Sequence, residues 1–569
     1  MKLNLRTNRL EEGSALAYCL WTSMLVGLGA YSLLNLSNYR IRAAHNRGDY
    51  NEAFYHAENA LNWAAMYVSG NNNPAGTFSK SGGTLPLAYY SSLADSDASV
   101  TGFQDAWVVI TPSTNAVSRV YTVKASAKVG DKVRTLVASV KKDPPSNVFD
   151  YEYFLNNWGW WWGAAITGSG DNRSNWDFDF RYSPTVNGHV VASGQIASSS
   201  VPIDPFNAAS VPLAGLAKGD PLTYLKDSSE RLTMPNLKDL AWYSSLAASK
   251  AGTLTAGTTV INAVHTNSVA PGLYLVGTAA NPITINGPVV IPGDVVISGK
   301  LTGQGTLYVG GNLYIAGDLT YLNGPDFSSP PETMAPASRD SWVASAVSGK
   351  KDLVAFAVKQ SIFGGGVNGA DWKAACFDPA DYGLKNVGGE ATLGADGIRG
   401  TADDGIAYLD TNGDGVPDSA AYDADGDGVI RSNYNYSNDI QMNATKAALI
   451  TGYPKDTSGK PVDFTTVSTG AFNRMDGVFY CNHALALWST KANFVANGSV
   501  ICRDEAMVFT SSLKLNYDSR INSRYADDPN RVVDLGLPIA NKIALLSLKE
   551  VAPNDADYAA GQVANVAVQ

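Results

Sequence analysis

Short, oxygen-bearing side chains recur at every second position of the segment DTNGDGVPDSAAYDADGDG, residues 410–428. Alternate side chains of such a loop converge on one ion, and Gly415 and Gly428 supply the positive φ that closes each turn. Carboxylate and amide oxygens suit a hard cation. The sequence therefore predicts Ca²⁺ as cofactor, bound by Asp403, Asp404, Asp410, Asn412, Asp414, Asp418, Asp423, Asp425 and Asp427.

The two loops depart from the EF-hand pattern at the twelfth position. A bidentate glutamate belongs there, and the chain has Ala421 in one frame and Tyr434 in the other. The loops instead resemble thrombospondin type 3 repeats and dockerin-like segments, in which neighbouring loops share ligands. That resemblance implies structural calcium outside cells, bound at about 10⁻⁴–10⁻³ M. Two alternatives stay open: an acidic loop with no ion, and a catalytic calcium of the kind found in β-helix polysaccharide lyases.

The segment NNWGWWWG contributes a cluster of aromatic rings. Its members are Trp158, Trp160, Trp161 and Trp162. Aromatic faces stack on sugar rings, and they also cover the ends of apolar β cores. The neighbouring glycines suit tight packing, so core cover is the favoured interpretation and sugar binding is the alternative.

The remaining chemistry is sparse. Cys481 and Cys502 could form a disulfide in an oxidising compartment, and no cysteines form a CxxC pair. The chain has no HExxH, GxSxG, phosphate-loop or dinucleotide motif, so we expect it not to be an enzyme. The net charge of −10 argues against nucleic acid as a partner, because phosphate binding needs a basic face.

The clearest sequence signal for regular structure lies at residues 285–324. Glycine recurs at every sixth residue from Gly287 to Gly317, with an aliphatic residue two places after each. Three such hexads make one coil of roughly 18 residues in a β-solenoid, with aliphatic side chains inside. The repeat also resembles bactofilin-type and pilin-associated β-helix segments. Residues 476–509 have the same character, which would stack Cys481 and Cys502 on neighbouring coils.

An insertion is predicted between these two repeats. Apolar residues recur at helical spacing over 338–366 and end at three glycines, which predicts an amphipathic helix that covers the solenoid. Docking of that helix to a separate partner is the alternative. The calcium loops follow, and the Ala-rich residues from about Val551 are expected to fray.

The N-terminal region predicts a single long helix from about Glu12 to Val68. Residues 13–36 carry no charge and are long enough to span the ~30 Å core of a bilayer, with a cleaved signal peptide as the alternative. The second half has an apolar face. That face comprises Ala53, Phe54, Ala57, Ala60, Leu61 and Ala64. Residues 120–142 then alternate around Gly130, which predicts a β-hairpin.

The first 70 residues resemble PilX-type minor pilins and related pseudopilins. The match is carried by Gly13, Asp49, Ala53, Phe54, Ala57, Glu58, Ala60 and Leu61. The resemblance implies cleavage between Gly13 and Ser14, and a helix followed by a small antiparallel sheet. Tyr18 stands where major pilins carry a glutamate, which favours a terminal or anchoring position over bulk assembly.

The predicted fold class is mainly β with a long N-terminal α-helix: a pilin-like helix and small antiparallel sheet, then a parallel β-helix with an insertion. The predicted regions are a transmembrane or filament helix (1–75), a pilin-like sheet (76–145), the first β-helix part (146–330), the insertion (331–474), the closing β-helix part (475–545) and a tail (546–569).

These features together predict a structural minor pilin-like subunit of a type IV pilus or type II secretion-like filament. Its calcium-stabilised head would serve assembly or adhesion. The expected partners are other pilin or pseudopilin subunits, the membrane and surface polysaccharide. The expected location is the inner membrane before assembly and the cell surface afterwards. The alternative is a membrane-tethered carbohydrate-binding or carbohydrate-active β-helix protein.

Overall fold

A computed structural model describes the fold at residues 12–71, 74–79, 106–113, 119–130, 132–156, 159–175, 177–181, 184–198, 201–202, 225–226, 229–235, 237, 240–366, 390–392, 405–407, 454–455, 460–462, 467–468, 472–482, 484–489, 493–503, 505–526, 528–540 and 543–551. The chain forms two compact units. Unit 1 comprises Met1–Thr114, Arg119–Lys142 and Ile543–Gln569, and unit 2 comprises Asn115–Ser118 and Asp143–Lys542.

Unit 1 combines one long helix with an antiparallel sheet. The helix α1 (Glu12–Gly70) has the predicted extent. Five described strands follow the order β1–β2–β3–β4–β31. They are β1 (Gly76–Ser79), β2 (Ala106–Pro112), β3 (Val120–Val129), β4 (Lys132–Lys142) and β31 (Ile543–Val551). The predicted hairpin is confirmed as β3 and β4, and Gly130 adopts a φ of +59° in its turn.

The second half of α1 packs on this sheet through the face that the sequence predicts. Ala53, Ala57, Ala60 and Ala64 are buried, as is Leu61. They meet a layer of aliphatic side chains from β2, β3 and β4. Because alanine carries only a methyl group, the helix axis can approach the strands closely. The predicted apolar face is therefore the core of unit 1.

Arg134 of β4 joins three elements of unit 1. Its guanidinium carbon lies 3.6 Å from the centre of the Tyr50 ring and 5.3 Å from that of Phe54, both on α1. The same group forms an ion pair with Glu550 of β31. Arg134 is buried, and a desolvated guanidinium over an aromatic ring contributes up to about 2 kcal/mol. We call this arrangement the Arg134 clasp.

Unit 2 is inserted between β4 and β31. Lys142, the last residue of β4, pairs directly with Ile543, the first residue of β31. The chain therefore leaves the sheet and returns to it at the same place. This differs from the predicted regions, in which residues 543–545 close the solenoid and 546–569 form a tail. The strand was missed because its partner lies far away in the sequence.

This topology predicts that unit 1 survives removal of the inserted residues. Because Lys142 and Ile543 face each other, Asn-Gly in place of residues 143–542 would join β4 and β31 through a two-residue hairpin turn. We expect the shortened chain, in detergent, to melt cooperatively and to give the circular dichroism of a helix with a β-sheet.

The matched control removes two more residues, 143–544, with the same Asn-Gly joint. The register of β31 on β4 already shifts by one residue between Leu545 and Ser547, so loss of this bulge could absorb a one-residue deletion but not a two-residue deletion. The remaining slip turns the side chains of β31 to the opposite face and separates Glu550 from Arg134. We expect a clearly lower melting temperature for this control. Equal melting temperatures for the two chains would contradict the assigned register.

Unit 2 consists mainly of short strands. They are β5 (Tyr153–Leu155), β6 (Gly159–Trp162), β7 (Ile166–Gly168), β8 (Asn172–Ser174), β9 (Phe178–Arg181), β10 (Thr185–Val186), β11 (Val190–Ala192), β12 (Ile196–Ser198), β13 (Val201–Pro202), β14 (Leu225–Lys226), β15 (Thr253–Ala256), β16 (Thr259–Asn262), β17 (Leu273–Gly277), β18 (Ile283–Ile291), β19 (Val295–Thr302), β20 (Gln304–Val309), β21 (Leu313–Tyr321), β22 (Leu353–Val358), β23 (Ile362–Gly365), β24 (Glu390–Thr392), β25 (Gly405–Ala407), β26 (Arg474–Cys481), β27 (Ala484–Trp488), β28 (Phe494–Cys502), β29 (Glu505–Phe509) and β30 (Leu513–Tyr517).

Most of these strands pair in parallel with a strand one layer further along. Two helices accompany them, α2 (Leu240–Ser249) and α3 (Pro336–Ser348). Short 3-10 turns occur at Asn147–Asp150, Pro331–Thr333, Ser519–Ile521 and Ser523–Tyr525. Among the described residues, twenty strands belong to one sheet, and β6, β9, β12 and β13 form a smaller one. Antiparallel pairs join β12 to β13, β15 to β16 and β18, and β24 to β25.

The hexad repeat sets the register of this sheet. Gly287 pairs with Gly305, and Val295 pairs with Leu313, so equivalent positions are 18 residues apart. The predicted inward positions are buried in one continuous core. Those positions are Ile285, Val289, Ile291, Val295, Ile297, Leu301, Leu307, Val309, Leu313, Ile315 and Leu319. The predicted period and the predicted core are both confirmed.

Asp and Asn side chains connect neighbouring layers where the strands end. Asp294 Oδ1 accepts a hydrogen bond from the Asn312 backbone N–H at 2.8 Å, and Asn312 Oδ1 accepts one from the Ser361 N–H at 2.9 Å. Asp171 Oδ1 accepts from the His189 N–H at 2.8 Å in the same way. These acceptors satisfy backbone donors where the regular ladder is interrupted.

The order of the layers differs from the order of the chain. β28 pairs with β26 on one side and with β5 on the other. Residues 153–192 therefore continue the stack beyond residues 494–517, and the layer containing β15, β16 and β17 lies at the opposite end. The predicted division into a first part and a closing part follows the chain and does not describe this stacking.

A helix forms only the first part of the segment 338–366, where the sequence predicts one continuous helix. The helix α3 stops at Ser348, and Leu353–Val358 forms β22, which is buried along its whole length between β20 and β26. A short continuous run of apolar residues is compatible with a helix and also with a strand buried on both faces. The spacing of apolar residues therefore led to a wrong prediction of helix for Leu353–Val358. Part of the predicted insertion, residues 353–365, is thus part of the large sheet.

One side of the stack is covered from outside. The outward side chains Val290, Tyr308 and Tyr480 pack with Tyr243 and Leu246 of α2. Segments 232–237 and 533–537 complete this second core. The Tyr308 hydroxyl donates to the Gly536 carbonyl, and the Tyr480 hydroxyl donates to the Pro235 carbonyl at 2.7 Å. The strands of this side are consequently buried on both faces.

The buried Asp294 predicts a stability that falls as the pH rises. Burial raises its pKa from 3.8 to about 7, against one lowering hydrogen bond from Asn312, and its Oδ2 has no hydrogen-bond partner. A raised folded-state pKa means that the penalty is absent below pH 3.8 and complete above about pH 7. Asp294→Asn keeps the acceptor and removes the charge. We expect stabilisation on the order of a few kcal/mol at about pH 8 and much less at about pH 5.

Asp318→Asn is the matched control for this measurement. Asp318 also accepts a backbone N–H, from Asn473 at 2.6 Å, but it is exposed to solvent. We expect the difference in urea-unfolding midpoint between Asp318→Asn and the parent chain to be nearly the same at the two pH values. A gain for Asp294→Asn that is the same at both pH values would contradict the assigned penalty.

Candidate functional site

The first half of α1 presents a long apolar surface to solvent. Trp21 is 68% exposed and Leu33 is 69% exposed, although large apolar side chains are normally buried. We call this set the α1 surface. It comprises Trp21, Met24, Leu25, Val26, Leu28, Tyr31, Leu33, Leu34, Leu36, Tyr39 and Ile41. A contiguous patch of this kind marks an interaction site.

The second half of the helix holds this surface in place. The Arg134 clasp and the alanine face attach residues 50–68 to the sheet. Asp49 lies against the β3–β4 turn, since a Cβ atom on Gly130 would be only 3.3 Å from Asp49 Oδ2. His45 Nε2 lies 3.7 Å from the same carboxylate. The described residues of the pilin-like motif therefore fix where the exposed half begins.

The α1 surface is suited to binding by burial of apolar side chains. Its side chains offer apolar area, and charged residues reappear only at Arg40, Arg42 and Arg47. Burying apolar area contributes roughly 25 cal/mol per Å², so cover by other apolar helices would stabilise the chain strongly. The surface can therefore bind a partner through apolar contact.

Within the described part of the chain, we find no helix with both the length and the apolar character needed to cross a membrane. The predicted processing residues Gly13 and Ser14 belong to α1. The structure describes their backbone and not their side chains.

The predicted calcium ligands lie outside the described residues. This applies to Asp403, Asp404, Asp410, Asn412, Asp414, Asp418, Asp423, Asp425 and Asp427. Only the short strand pair β24 and β25 is described in that region. In the described part of the chain, no cluster of three or more His, Cys, Asp or Glu side chains could hold a metal ion.

The tryptophan cluster is divided between core and strand surface. Trp161 is 3% exposed and packs edge-on against Tyr153 at a centroid distance of 6.0 Å, within the main core. Its ring is therefore enclosed by other core side chains and has no free face for a sugar ring in this structure. Trp160 is half-buried, Trp158 lies outside the described residues, and the Trp162 side chain is not described.

The two cysteines lie at paired positions of adjacent strands. Cys481 of β26 is directly opposite Cys502 of β28, as the repeat predicts. Both side chains are fully buried, and the predicted disulfide between them is not formed in this structure. Their place in the apolar core is that of small packing residues.

A buried carboxylate, Glu152, was missed by the sequence patterns. Its Oε1 accepts from the Ser169 N–H at 3.0 Å and the Ser169 hydroxyl at 3.1 Å, and its Oε2 accepts from the Gly170 N–H at 3.0 Å. Burial raises its pKa to about 8, because these hydrogen bonds offset only part of the desolvation. The side chain is 1% exposed and its donors all come from one turn, which indicates a structural role.

The Asp171–His189 pair lies beside Glu152. The Asp171 carboxylate is 3.0 Å from His189 Nδ1. Burial raises the pKa of Asp171, and the hydrogen bonds and charge of His189 outweigh this, so the pKa falls below 3.8. The pair links two layers, since Asp171 also accepts the His189 N–H. The two residues are 18 positions apart, which is also the spacing between layers of the hexad repeat, so this spacing is the sequence signal for their contact.

Comparisons with known proteins give little guidance. No family model matches the chain, and no curated protein matches it. Among solved structures, it is similar to the competence-associated pilin ComZ from Thermus thermophilus. That similarity has a TM-score of 0.26 and 11% identity, and covers 78% of this chain and 83% of that chain. A TM-score at this level is too low to carry a conclusion about fold or function.

Proposed function

We propose that this chain is a minor pilin-like subunit of a type IV pilus or type II secretion-like filament. The observation that carries the proposal is the α1 surface. It is the exposed apolar half of a helix whose other half is attached to an antiparallel sheet. Other pilin or pseudopilin subunits would cover it with helices of the same kind.

The residues that resemble pilins support this proposal by their positions. Ala53, Ala57 and Ala60 form the helix side of the core, and Asp49 adjoins the hairpin turn. In this proposal the motif serves to set the helix on its sheet. Tyr18 replaces the glutamate of major pilins, which supports a terminal or anchoring position.

Unit 2 would be the displayed head of the subunit. We propose that its 18-residue register reflects a β-solenoid, with the Asp403–Asp427 loops bound to calcium as a structural clamp. Such a head would serve assembly or adhesion at the cell surface, without catalysis. Before assembly, the inner membrane would cover the α1 surface, and cleavage would follow Gly13.

A carbohydrate-binding β-helix is less well supported. Its ligand would need exposed aromatic faces, and Trp161 is in the core. The proposal of a filament subunit therefore takes precedence over surface polysaccharide as the main partner.

Leu33→Asp tests the docking of α1. Leu33 is 69% exposed, so the change should leave the fold intact. A buried charge in a helix interface costs several kcal/mol, so we expect the variant to be absent from sheared surface filaments. The measurement is immunoblotting of the filament fraction and of whole cells.

Met66→Asp is the matched control, because Met66 is 71% exposed on the same helix but outside the α1 surface. We expect it to enter the filament fraction like the parent chain. Incorporation of Leu33→Asp at the parent level would rule out docking through the α1 surface.

Calcium binding predicts a change in thermal stability. The full chain should melt at a higher temperature in millimolar calcium than in chelator, because an ion bound only to the folded loops stabilises them. Asp414→Ala with Asp427→Ala should abolish this difference. Asp326→Ala, which alters an exposed aspartate outside the loops, should preserve it. Identical melting with calcium and with chelator would defeat the calcium assignment.

A further inference from the structure

The layer formed by β15, β16 and β17 ends the stack with open strand edges. β16 pairs in antiparallel fashion with β15, and β17 pairs in parallel with β19. Among the described residues, no register pairing covers the other edge of either strand. An open edge presents unpaired backbone donors and acceptors, which other chains can complete.

This end of the stack has no charged side chain. Lys250 precedes the layer and Asp294 follows it, and residues 251–293 contain no Asp, Glu, Lys or Arg. The full sequence has 17% charged residues. Proteins commonly protect exposed strand edges with charge, so a wholly uncharged end lacks the usual defence against association.

Apolar side chains are exposed on the same layer. We call Val260, Val269, Tyr274 and Val276 the terminal surface. Val269 is 78% exposed and Val260 is 60% exposed. Along β16 and β17, Val260, Tyr274 and Val276 alternate with Ile261 and Leu275, which belong to the core. Val269 lies in the loop between the two strands. Val260, Val269 and Val276 are therefore exposed positions that the described residues leave uncovered.

We propose that the terminal surface is a self-association site, at which two copies of this chain meet end to end. The edges of β16 from the two copies would pair in antiparallel fashion about a twofold axis. The antiparallel β15–β16 pair would then continue as a four-stranded antiparallel sheet across the dimer. Val260 from each copy would lie close to the axis.

The absence of charge selects a second copy as the partner. A twofold contact places identical surfaces against each other, so any charged residue near the axis meets its own like charge. Residues 251–293 avoid this penalty entirely. A partner recognised by complementary charge would need charged groups on this surface, and residues 251–293 contain no Asp, Glu, Lys or Arg. A twofold axis pairs the edge of β16 with its own copy in antiparallel fashion, which continues the antiparallel pairing of β15 with β16.

The test is sedimentation velocity of the full chain in nonionic detergent, which covers the α1 surface. We expect a concentration-dependent monomer–dimer equilibrium at micromolar concentration. Val260→Lys and, separately, Val269→Lys should weaken dimerisation at least about tenfold, because each places like charges in the contact. Because the two substitutions lie on different segments, the test remains decisive even if one of the two variants fails to fold.

A second experiment tests whether opposite charges at the contact restore dimerisation. Val260→Lys and Val260→Asp chains should each be monomeric, and an equimolar mixture should dimerise. Leu322→Lys is the matched control, because Leu322 is 45% exposed outside the terminal surface, and it should dimerise like the parent. A monomeric parent, a dimer unaffected by both valine variants, or an equal loss in Leu322→Lys would overturn the proposal. Leu33→Asp should leave the dimer intact, which separates this result from filament docking.

Discussion

The parallel register between layers is the constraint on which unit 2 depends. Once Gly287 lies beside Gly305 and Val295 beside Leu313, every inward side chain stacks on its equivalent one layer away. The core is then a set of rows, such as the stacked rings of Phe356 and Phe479. A residue that fits poorly in one layer disturbs its neighbours above and below, because each row shares the same space.

The same register explains why Asp and Asn recur among the buried polar residues. The backbone turns sharply where strands end, and its N–H groups lose their ladder partners there. A short carboxylate reaches the next layer and accepts such a backbone N–H, as Asp294 does from Asn312. In the Asp476–Asn497–Asn516 row, the donors are the side-chain amides of the two asparagines, at 2.7 Å per contact. Arg474 also binds the Asp476 carboxylate, which neutralises the buried charge at the end of that row.

The parts of the fold with a local period could be predicted from the sequence. The hexads gave the inward positions, and the spacing of Ala53, Ala57 and Ala60 gave the packed face of α1. The missed features all depend on distant partners. Residues Ile543–Val551 show no distinctive pattern, and only their pairing with β4 makes them part of unit 1. Leu353–Val358 was misassigned because a short apolar run has no diagnostic period.

In the candidate site, too, the local sequence pattern was predictable and the contacts between distant residues were not. An uncharged N-terminal segment was visible in the sequence, but the Arg134 clasp that fixes its exposed half was not, since Tyr50, Arg134 and Glu550 are far apart in the chain. The buried Glu152 was hidden for a related reason. Its donors come from Ser169 and Gly170, which reach it only through the stacking of one layer on the next.

The insertion of unit 2 between β4 and β31 also has a mechanical consequence. A pull on the inserted unit is transmitted to α1 through two covalent connections, which enter adjacent strands at Lys142 and Ile543. Tension is shared between them. A protease that cuts one connection leaves the inserted unit tethered by the other, so loss of residues 143–542 requires two independent breaks.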